Sequence, residues 1–257
     1  MKSDLDKKAD FANPIFDVSD LTYAYIEGAL ALDHVSMHVN RGEKLAIMGS
    51  NGSGKSTLLR VLDGLYFPKS GSIKAFGSAL TEIILRDEAF NFQFRSRVGF
   101  VFQDSDAQLF MPTVWDEIAF SPLQLGMNEQ DVSLRVEAAL DALEIQKLRG
   151  RAPHQLSGGE KKRVALASVM SLMPEVWLLD EPSAGLDPRS VSWLVEFIDQ
   201  ISTEGKTVVL ATHDLDLVER LADRVYVINE DHRLETEGKP GEIVSDNILL
   251  KKVNLIR

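Results

Sequence analysis

The stretch Gly49-Ser50-Asn51-Gly52-Ser53-Gly54-Lys55-Ser56-Thr57 decides the fold of this chain. It fits the pattern G-x-x-x-x-G-K-S/T, a glycine-rich loop whose backbone N–H groups surround phosphate groups. The apolar residues 45–48 before the loop predict a buried strand, and residues 58–62 after it predict a helix. A strand, such a loop and a helix N-terminus together form an anion site. There Lys55 can reach the β- and γ-phosphates, and the Ser56 hydroxyl can ligate Mg²⁺.

Length and composition bound the class of protein. The chain has 257 residues, of which 44% are hydrophobic, enough for one α/β domain with a sizeable core. A net charge of −11 disfavours general binding to nucleic acid. The absence of cysteine excludes disulfides and thiolate metal sites. Because we find neither a signal peptide nor an apolar stretch long enough to span a bilayer, we expect a soluble, cytoplasmic protein.

Residues 1–14 read as a loose polar tail, followed by a single domain over residues 15–257. The apolar patterns predict strands at residues 15–21, 35–39, 71–76 and 98–102, edge strands at residues 224–228 and 233–237, and helices at residues 114–120 and 128–143. Pro122 is expected to stop the first of these helices. Residues 78–96 have no clear period. The stretch of about residues 104–172 is predicted to be all helical and inserted between sheet strands.

Two acids follow the buried strand predicted at residues 176–179. Asp180 can hold the Mg²⁺ shell, and Glu181 can orient or polarise an attacking water. His213 ends the strand predicted at residues 208–211, and Gln103 ends the one at residues 98–102. Ligand contacts in α/β folds gather at such strand ends. Gln103 could equally be an ordinary polar loop residue.

The segment Leu156-Ser157-Gly158-Gly159-Glu160 contains a capping box, because Ser157 and Glu160 have the S-x-x-E spacing that opens a helix. A capping box needs no further function. However, two glycines at a helix start lower helix propensity and allow another backbone or an anion to approach closely. We therefore interpret this segment as a second anion site.

Taken together in this order, the motifs resemble those of the ATP-binding-cassette (ABC) ATPases over about residues 16–241. The glycine-rich loop is similar to the Walker A loop, and Leu156 to Glu160 is similar to the signature sequence, although Glu160 stands where Gln is commoner. Tyr25 lies where the family has its adenine-stacking aromatic. From the residues alone, an aromatic there could simply pack against the protein.

The resemblance implies an α/β fold of the P-loop NTPase type, with a RecA-like core, an antiparallel β subdomain and an inserted helical subdomain. It implies catalytic roles for Lys55, Glu181 and His213, the last as the switch histidine that senses the γ-phosphate. It implies Mg²⁺ contacts from Ser56, Gln103 and Asp180. The implied contacts to ATP are Tyr25, Gly49, Ser50, Asn51, Gly52, Ser53, Gly54, Lys55, Ser56, Thr57, Gln103, Ser157, Gly158, Gly159 and Glu160.

Residues 102–110 resemble the Q-loop of energy-coupling-factor transporter ATPases, with departures at Ser105 and Ala107, and residues 212–218 and 249–255 resemble the cobalt and nickel branch. The resemblance implies an ATP-hydrolysing importer subunit that works on cobalt or nickel ions. A vitamin-type importer ATPase and a non-transport ABC ATPase are the alternatives.

The implied partners are a second ATPase chain, identical or paralogous, a transmembrane coupling subunit and a metal-binding membrane subunit, with no nucleic acid. The chain would lie at the cytoplasmic face of the cell membrane as a peripheral protein. We expect its docking surface near residues 106–110, where Leu109, Phe110 and Met111 look exposed. These side chains could instead pack on the helix predicted at residues 114–120.

Overall fold

The computed structural model describes residues 14–26 and 28–257, so that the tail predicted for residues 1–14 lies outside the described residues apart from Pro14. The strands are β1 (Phe16–Ile26), β2 (Ala29–Val39), β3 (Lys44–Met48), β4 (Ser70–Ala75), β5 (Ser78–Ala79), β6 (Val98–Val101), β7 (Val176–Asp180), β8 (Thr207–Thr212), β9 (Arg224–Ile228) and β10 (Leu234–Gly238). The helices are α1 (Lys55–Leu62), α2 (Glu82–Leu85), α3 (Glu88–Arg97), α4 (Ser105–Gln108), α5 (Val114–Gln124), α6 (Glu129–Ala142), α7 (Gly158–Met170), α8 (Pro188–Thr203), α9 (Leu215–Leu221), α10 (Pro240–Ser245) and α11 (Asn247–Lys252).

The central sheet has six strands in the order β10-β9-β3-β8-β7-β6. All neighbours pair in parallel except β10, which pairs antiparallel with β9 at one edge. The short apolar strands β6, β7 and β8 are buried along their whole length, as expected where both faces of a parallel sheet are covered. The prediction that β9 is an edge strand is wrong. β9 pairs on its other side with β3, which satisfies the backbone hydrogen-bonding groups at that edge, and its residues 225–228 are buried inside the sheet.

A second, antiparallel sheet of four strands, β2-β1-β4-β5, packs beside the first. The long pair β1 and β2 continues well beyond the strands predicted there, so that Tyr23 and Tyr25 lie within β1. The mixed fold with an antiparallel sheet confirms the predicted fold class. Among the described residues, no helix is long and apolar enough to cross a membrane.

Between β6 and β7 the described chain is helical. The amphipathic helix predicted at residues 128–143 is α6, which has Asn128 as its N-cap and buries Val132, Val136, Ala139 and Leu140. The prediction that Pro122 ends the preceding helix is wrong, because α5 continues to Gln124 with Pro122 inside it. A proline in the last turn removes only one intrahelical hydrogen bond, and burial of its ring offsets that loss.

The unassigned stretch 78–96 forms β5, α2 and most of α3. It had no clear period because α2 buries no residue and α3 buries only Phe94. An ion pair fixes α3 to the end of α1, where Arg95 Nη1 lies 3.0 Å from Asp63 Oδ2 and also donates to the Asp63 carbonyl at 2.7 Å. Burial raises the pKa of the Asp63 carboxyl to about 7, against the opposing effect of the Arg95 charge.

The pKa of Asp63 predicts a pH dependence of stability. Since the folded-state pKa exceeds the unfolded one, this carboxyl favours folding below about pH 4, and its contribution is lost as the pH rises through about 7. Between pH 5 and pH 8 we expect the wild type to lose about 2 kcal/mol more unfolding free energy than Asp63→Asn. Urea unfolding at both pH values measures this, with the exposed Asp216→Asn as the control. Equal losses in Asp63→Asn and the wild type would contradict the assignment.

Candidate active site

The glycine-rich loop runs from β3 to α1, and Gly49 and Gly54 within it are sterically required. A Cβ on Gly49 would lie 2.6 Å from the Ile228 carbonyl oxygen, and one on Gly54 would lie 2.2 Å from the Ala31 carbonyl oxygen. Gly54 also has a φ of +114°, a conformation that L side chains rarely adopt. The chain therefore turns tightly just before α1, where the free N–H groups of a helix start favour anions.

Lys55 lies buried beneath this loop. Its Nζ donates to the carbonyl oxygens of Gly49 at 2.9 Å and Ser50 at 3.1 Å, and lies 3.5 Å from Glu181 Oε1. Burial lowers the pKa of the Lys55 ammonium, and the charges of Glu181 and Asp180 oppose that effect. The ammonium is thus held by two neutral carbonyl groups and one carboxylate. An incoming phosphate could replace these groups as the partner of Lys55.

Ser56 and Asp180 meet beside Lys55. The Ser56 hydroxyl donates to Asp180 Oδ1 at 2.8 Å, joining the first turn of α1 to the end of β7. Burial raises the pKa of the Asp180 carboxyl, and the hydrogen bond from Ser56 opposes the rise. A hydroxyl and a carboxylate are hard oxygen donors of the kind that Mg²⁺ prefers beside phosphate groups. The chemistry of this pair therefore fits the ion expected from the sequence.

Glu181 is held from several sides at the end of β7. Its Oε2 accepts a hydrogen bond from Thr212 Oγ1 at 3.0 Å, and its Oε1 lies 2.8 Å from His213 Nδ1. These partners are in reach because β7 and β8 are parallel neighbours whose carboxyl ends coincide. Glu181 has a φ of +41°, a strained conformation for a residue with a Cβ, and such strain clusters at functional sites.

Lys55, Ser56 and Glu181 share a cavity of ≈ 530 Å³, whereas Asp180 and His213 lie next to these residues but do not line it. Of the residues predicted to contact ATP or Mg²⁺ or to act in catalysis, it is lined by Tyr25, Asn51, Gly52, Gly54, Lys55, Ser56, Thr57, Gln103 and Glu181. The Tyr25 side chain is half exposed, and its hydroxyl lies 2.8 Å from Thr57 Oγ1. Tyr66 lies edge-on to Tyr25 with ring centroids 5.6 Å apart. This packing fixes the orientation of the Tyr25 ring in the cavity wall.

The second predicted anion site, the segment from Leu156 to Glu160, lies outside this cavity. Ser157, Gly158, Gly159 and Glu160 do not line this cavity. The capping box is present as predicted, because Glu160 Oε2 accepts from the Ser157 backbone N–H at 2.8 Å and the Ser157 hydroxyl accepts from Glu160 N–H. Bonding to the Ser157 N–H lowers the pKa of Glu160. Nothing lies within 4 Å of a Cβ built on Gly158, so this helix start is open to an approaching group.

Two further residues contact the site and were missed by the sequence reasoning. Lys162 of α7 is buried and donates to the carbonyl oxygens of Phe102 at 3.3 Å and Gln103 at 3.0 Å, and burial lowers its pKa. His232, in the turn between β9 and β10, lines the cavity from a distant part of the sequence. No local pattern marks either residue, because each contact joins separate parts of the chain.

An apolar groove adjoins the site. Its volume is ≈ 390 Å³, and aromatic side chains from β6, the following loop and α5 contribute to its walls: Phe100, Phe102, Phe110 and Phe120. The expectation that Leu109 is exposed is wrong, since Leu109 packs into the helical core. Phe110 is 65% exposed and contacts the Phe120 ring edge-on at 5.0 Å. Glu117 fixes this loop by accepting from the N–H groups of Phe110 at 2.9 Å and Met111 at 2.8 Å.

The sheet order, the glycine-rich loop under which Lys55 lies, and the paired acids at the end of β7 define a P-loop nucleoside triphosphatase. Residues 32–184, more than half of the chain, match the family model for the ABC transporter. The chain belongs to the ABC transporter family and is an ATPase of that family. The family predicted from the motifs is thereby confirmed.

Relatives match along nearly the whole chain. A putative ABC transporter ATP-binding protein of Caldanaerobacter subterraneus is 49% identical over 94% of this chain and 99% of its own length. The nickel import ATP-binding protein NikO of Rhodobacter capsulatus is 47% identical over 95% and 96%. The energy-coupling factor transporter ATP-binding protein EcfA of Methanothermobacter thermautotrophicus is 40% identical over 94% and 76%.

Solved structures agree with the fold. The structure of cbiO1 from Clostridium perfringens, part of the ABC transporter complex cbiONQ, matches with a TM-score of 0.80 at 38% identity and covers 95% of both chains. A dimeric ATP-binding cassette in a post-hydrolysis state, bound to ADP and Pi, matches with a TM-score of 0.78 at 27% identity over 88% of this chain and 98% of that one.

Proposed function

We propose that the chain is the ATP-hydrolysing subunit of an energy-coupling-factor importer for nickel or cobalt ions. The observation that carries the proposal is the likeness, along almost the full length of both chains, to a nickel import ATP-binding protein. The likeness to cbiO1, part of a multi-subunit ABC transporter complex, supports the same assignment. The metal ion is then the transported substrate, the membrane-spanning path belongs to partner subunits, and this chain lies at the cytoplasmic face of the membrane as a peripheral protein.

In the proposed mechanism the glycine-rich loop and Lys55 bind the β- and γ-phosphates, and Lys55 exchanges its carbonyl partners for phosphate oxygens. Ser56 and Asp180, with Gln103 at the cavity wall, would hold Mg²⁺, which would stabilise negative charge that develops on the phosphate groups. Glu181 orients the attacking water, and His213, which lies within hydrogen-bond distance of Glu181, holds the γ-phosphate side. Tyr25 offers a ring face for adenine to stack on.

We also propose that two chains, identical or paralogous, work head to tail. The helix N-terminus at Ser157 carries partial positive charge and free N–H groups, but it does not line the cavity of its own chain. In the dimer it would contact the γ-phosphate bound by the partner. The likeness to a cassette solved as a dimer supports this arrangement.

The apolar groove beside the site is the proposed docking surface for the transmembrane coupling subunit. Its wall residue Phe102 directly precedes Gln103, which lines the nucleotide cavity, so that changes at the nucleotide are close to the groove. Phe110 is an exposed aromatic residue of this groove, with a side chain that the chain's own fold leaves largely uncovered. An aromatic residue at the rim of an apolar groove is a usual anchor for a partner helix.

Metal uptake in cells tests the transport role. Cells lacking the chain should take up less radioactive Ni²⁺ or Co²⁺ than cells carrying it, and the wild-type gene should restore the uptake. Unchanged uptake of both ions, together with reduced uptake of a vitamin, would favour the vitamin-type importer. Unchanged uptake of every solute tested, with ATPase activity intact, would favour a non-transport ATPase.

Replacing Phe110 by Ser tests the docking surface. Loss of a central aromatic anchor should weaken binding to the membrane subunits by about tenfold or more, and uptake should fall with it. ATP hydrolysis by the purified chain should stay within about twofold of wild type, since Phe110 is absent from the cavity lining. Phe92→Ser, an exposed aromatic on α3 outside the groove, is the matched control. Normal co-purification of Phe110→Ser with membrane subunits would place the docking surface elsewhere.

A further inference from the structure

His232 occupies an unusual place at the nucleotide cavity. It lies in the tight turn between β9 and β10 and lines the same cavity as Tyr25 and Lys55. Its φ is +62°, in the left-handed region that favours glycine. A histidine held there has a backbone cost that glycine would avoid.

The turn that carries His232 is fixed on two sides. Asp33 of β2 donates its N–H to the His232 carbonyl oxygen at 2.9 Å, and the neighbouring Arg233 forms an ion pair with the Asp33 carboxylate. On the other side, His232 Nδ1 lies 3.0 Å from the Ser53 carbonyl oxygen of the glycine-rich loop. The imidazole is therefore held between the antiparallel sheet and the phosphate-binding loop.

This contact determines the tautomer of the ring. A carbonyl oxygen only accepts hydrogen bonds, so Nδ1 must carry the proton that it donates to Ser53. In the neutral imidazole Nε2 is then an acceptor without a hydrogen. Phosphate oxygens are acceptors too and cannot bond to it, whereas the ribose hydroxyls and the exocyclic amine of adenine are donors.

We infer that His232 is a nucleotide-binding residue that accepts a hydrogen bond from the nucleoside half of ATP, either from a ribose hydroxyl or from the adenine amine. The inference rests on the proposal that this cavity holds ATP. Its position supports the nucleoside half, because His232 borders Ala29 and Leu30, which line the cavity together with Tyr25. On the phosphate-binding loop itself, His232 contacts a carbonyl oxygen, that of Ser53.

His232→Gly is the variant to test, because glycine suits the left-handed turn and removes only the imidazole. His34→Gly is the matched control. His34 also has a positive φ, +53°, and also bonds to a neighbour, Asp20, but it does not line the cavity. Dissociation constants for ATP and for inorganic tripolyphosphate are measured by calorimetry at pH 8 in EDTA, which removes Mg²⁺ and so suppresses hydrolysis.

We expect His232→Gly to weaken ATP binding about fivefold, the effect of one hydrogen bond, and to leave tripolyphosphate binding unchanged. His34→Gly should change neither. The inference is overturned if His232→Gly binds ATP as the wild type does, or if ATP and tripolyphosphate weaken equally, since the residue would then act only through the loop.

Two ATP analogues separate the two donors. Dideoxy-ATP lacks the ribose hydroxyls, and purine riboside triphosphate lacks the amine. Whichever group bonds to His232, the analogue that lacks it should bind equally well to the wild type and to His232→Gly. If the variant weakens both analogues as much as ATP, no such hydrogen bond exists. Failure of the wild type to bind ATP at all would instead overturn the proposed function of the cavity.

Discussion

Purified Glu181→Gln should hydrolyse ATP at least about 100-fold more slowly than the wild type, since a positioned acid–base group contributes that much or more. ATP binding should stay within about threefold, because the amide has the shape of the carboxylate and the phosphate-binding groups are unchanged. The strained backbone at φ +41° is equally available to both side chains. Phosphate release and equilibrium ATP binding are the two measurements.

The control for this prediction is Glu219→Gln, the same chemical change at an exposed carboxylate of α9 outside the cavity. It should leave turnover unchanged. We also expect Glu181→Gln to accumulate as an ATP-bound dimer, which size-exclusion chromatography would detect. Turnover of Glu181→Gln at the wild-type rate would show that another group activates water.

Replacing Ser157 by Arg should abolish turnover, with a loss of about 100-fold or more, while ATP binding to the single chain is preserved. The bulky cation would fill the open helix start that is proposed to meet the partner's γ-phosphate. The nucleotide cavity of the variant chain itself is unchanged, because Ser157 does not line that cavity. Asn128→Arg is the matched control, since it also removes an N-cap from the helical part of the chain but lies outside the signature segment.

Mixing two inactive chains distinguishes action on the partner from simple damage. Ser157→Arg keeps an intact phosphate-binding loop, and Lys55→Ala keeps an intact signature segment. A head-to-tail dimer of the two contains one complete site, so the mixture should regain ATP hydrolysis that neither chain has alone. A mixture as inactive as its components would count against the proposed dimer.

The glycine-rich loop and the paired acids could be read from sequence because each is local. A few adjacent residues specify a strand, a tight turn and a helix, and parallel strands then bring their ends together. The capping box at Ser157 was equally local, and both of its hydrogen bonds are present. What such motifs cannot specify is which chain supplies the second anion site.

Contacts between distant segments account for the errors. The helix α5 continues through Pro122, whose ring is buried. Leu109 is buried by helices that follow it in sequence. His232 reaches Ser53 across 179 residues, and Lys162 reaches Gln103 across 59. Burial decided by tertiary packing leaves no pattern in a short window of sequence, so these residues could be found only from the fold.

The open helix start at Ser157 also has a consequence for how much ATP unassembled chains consume in the cell. If each chain holds half of each catalytic site, an isolated chain can bind ATP but consumes little of it, and turnover in dilute solution depends on how often two chains meet. A membrane complex that holds two chains side by side raises their effective concentration to the millimolar range without adding a contact at the nucleotide. Newly made chains that have not joined a transporter would therefore hydrolyse little ATP. Hydrolysis would occur mainly in assembled complexes that can transport a substrate.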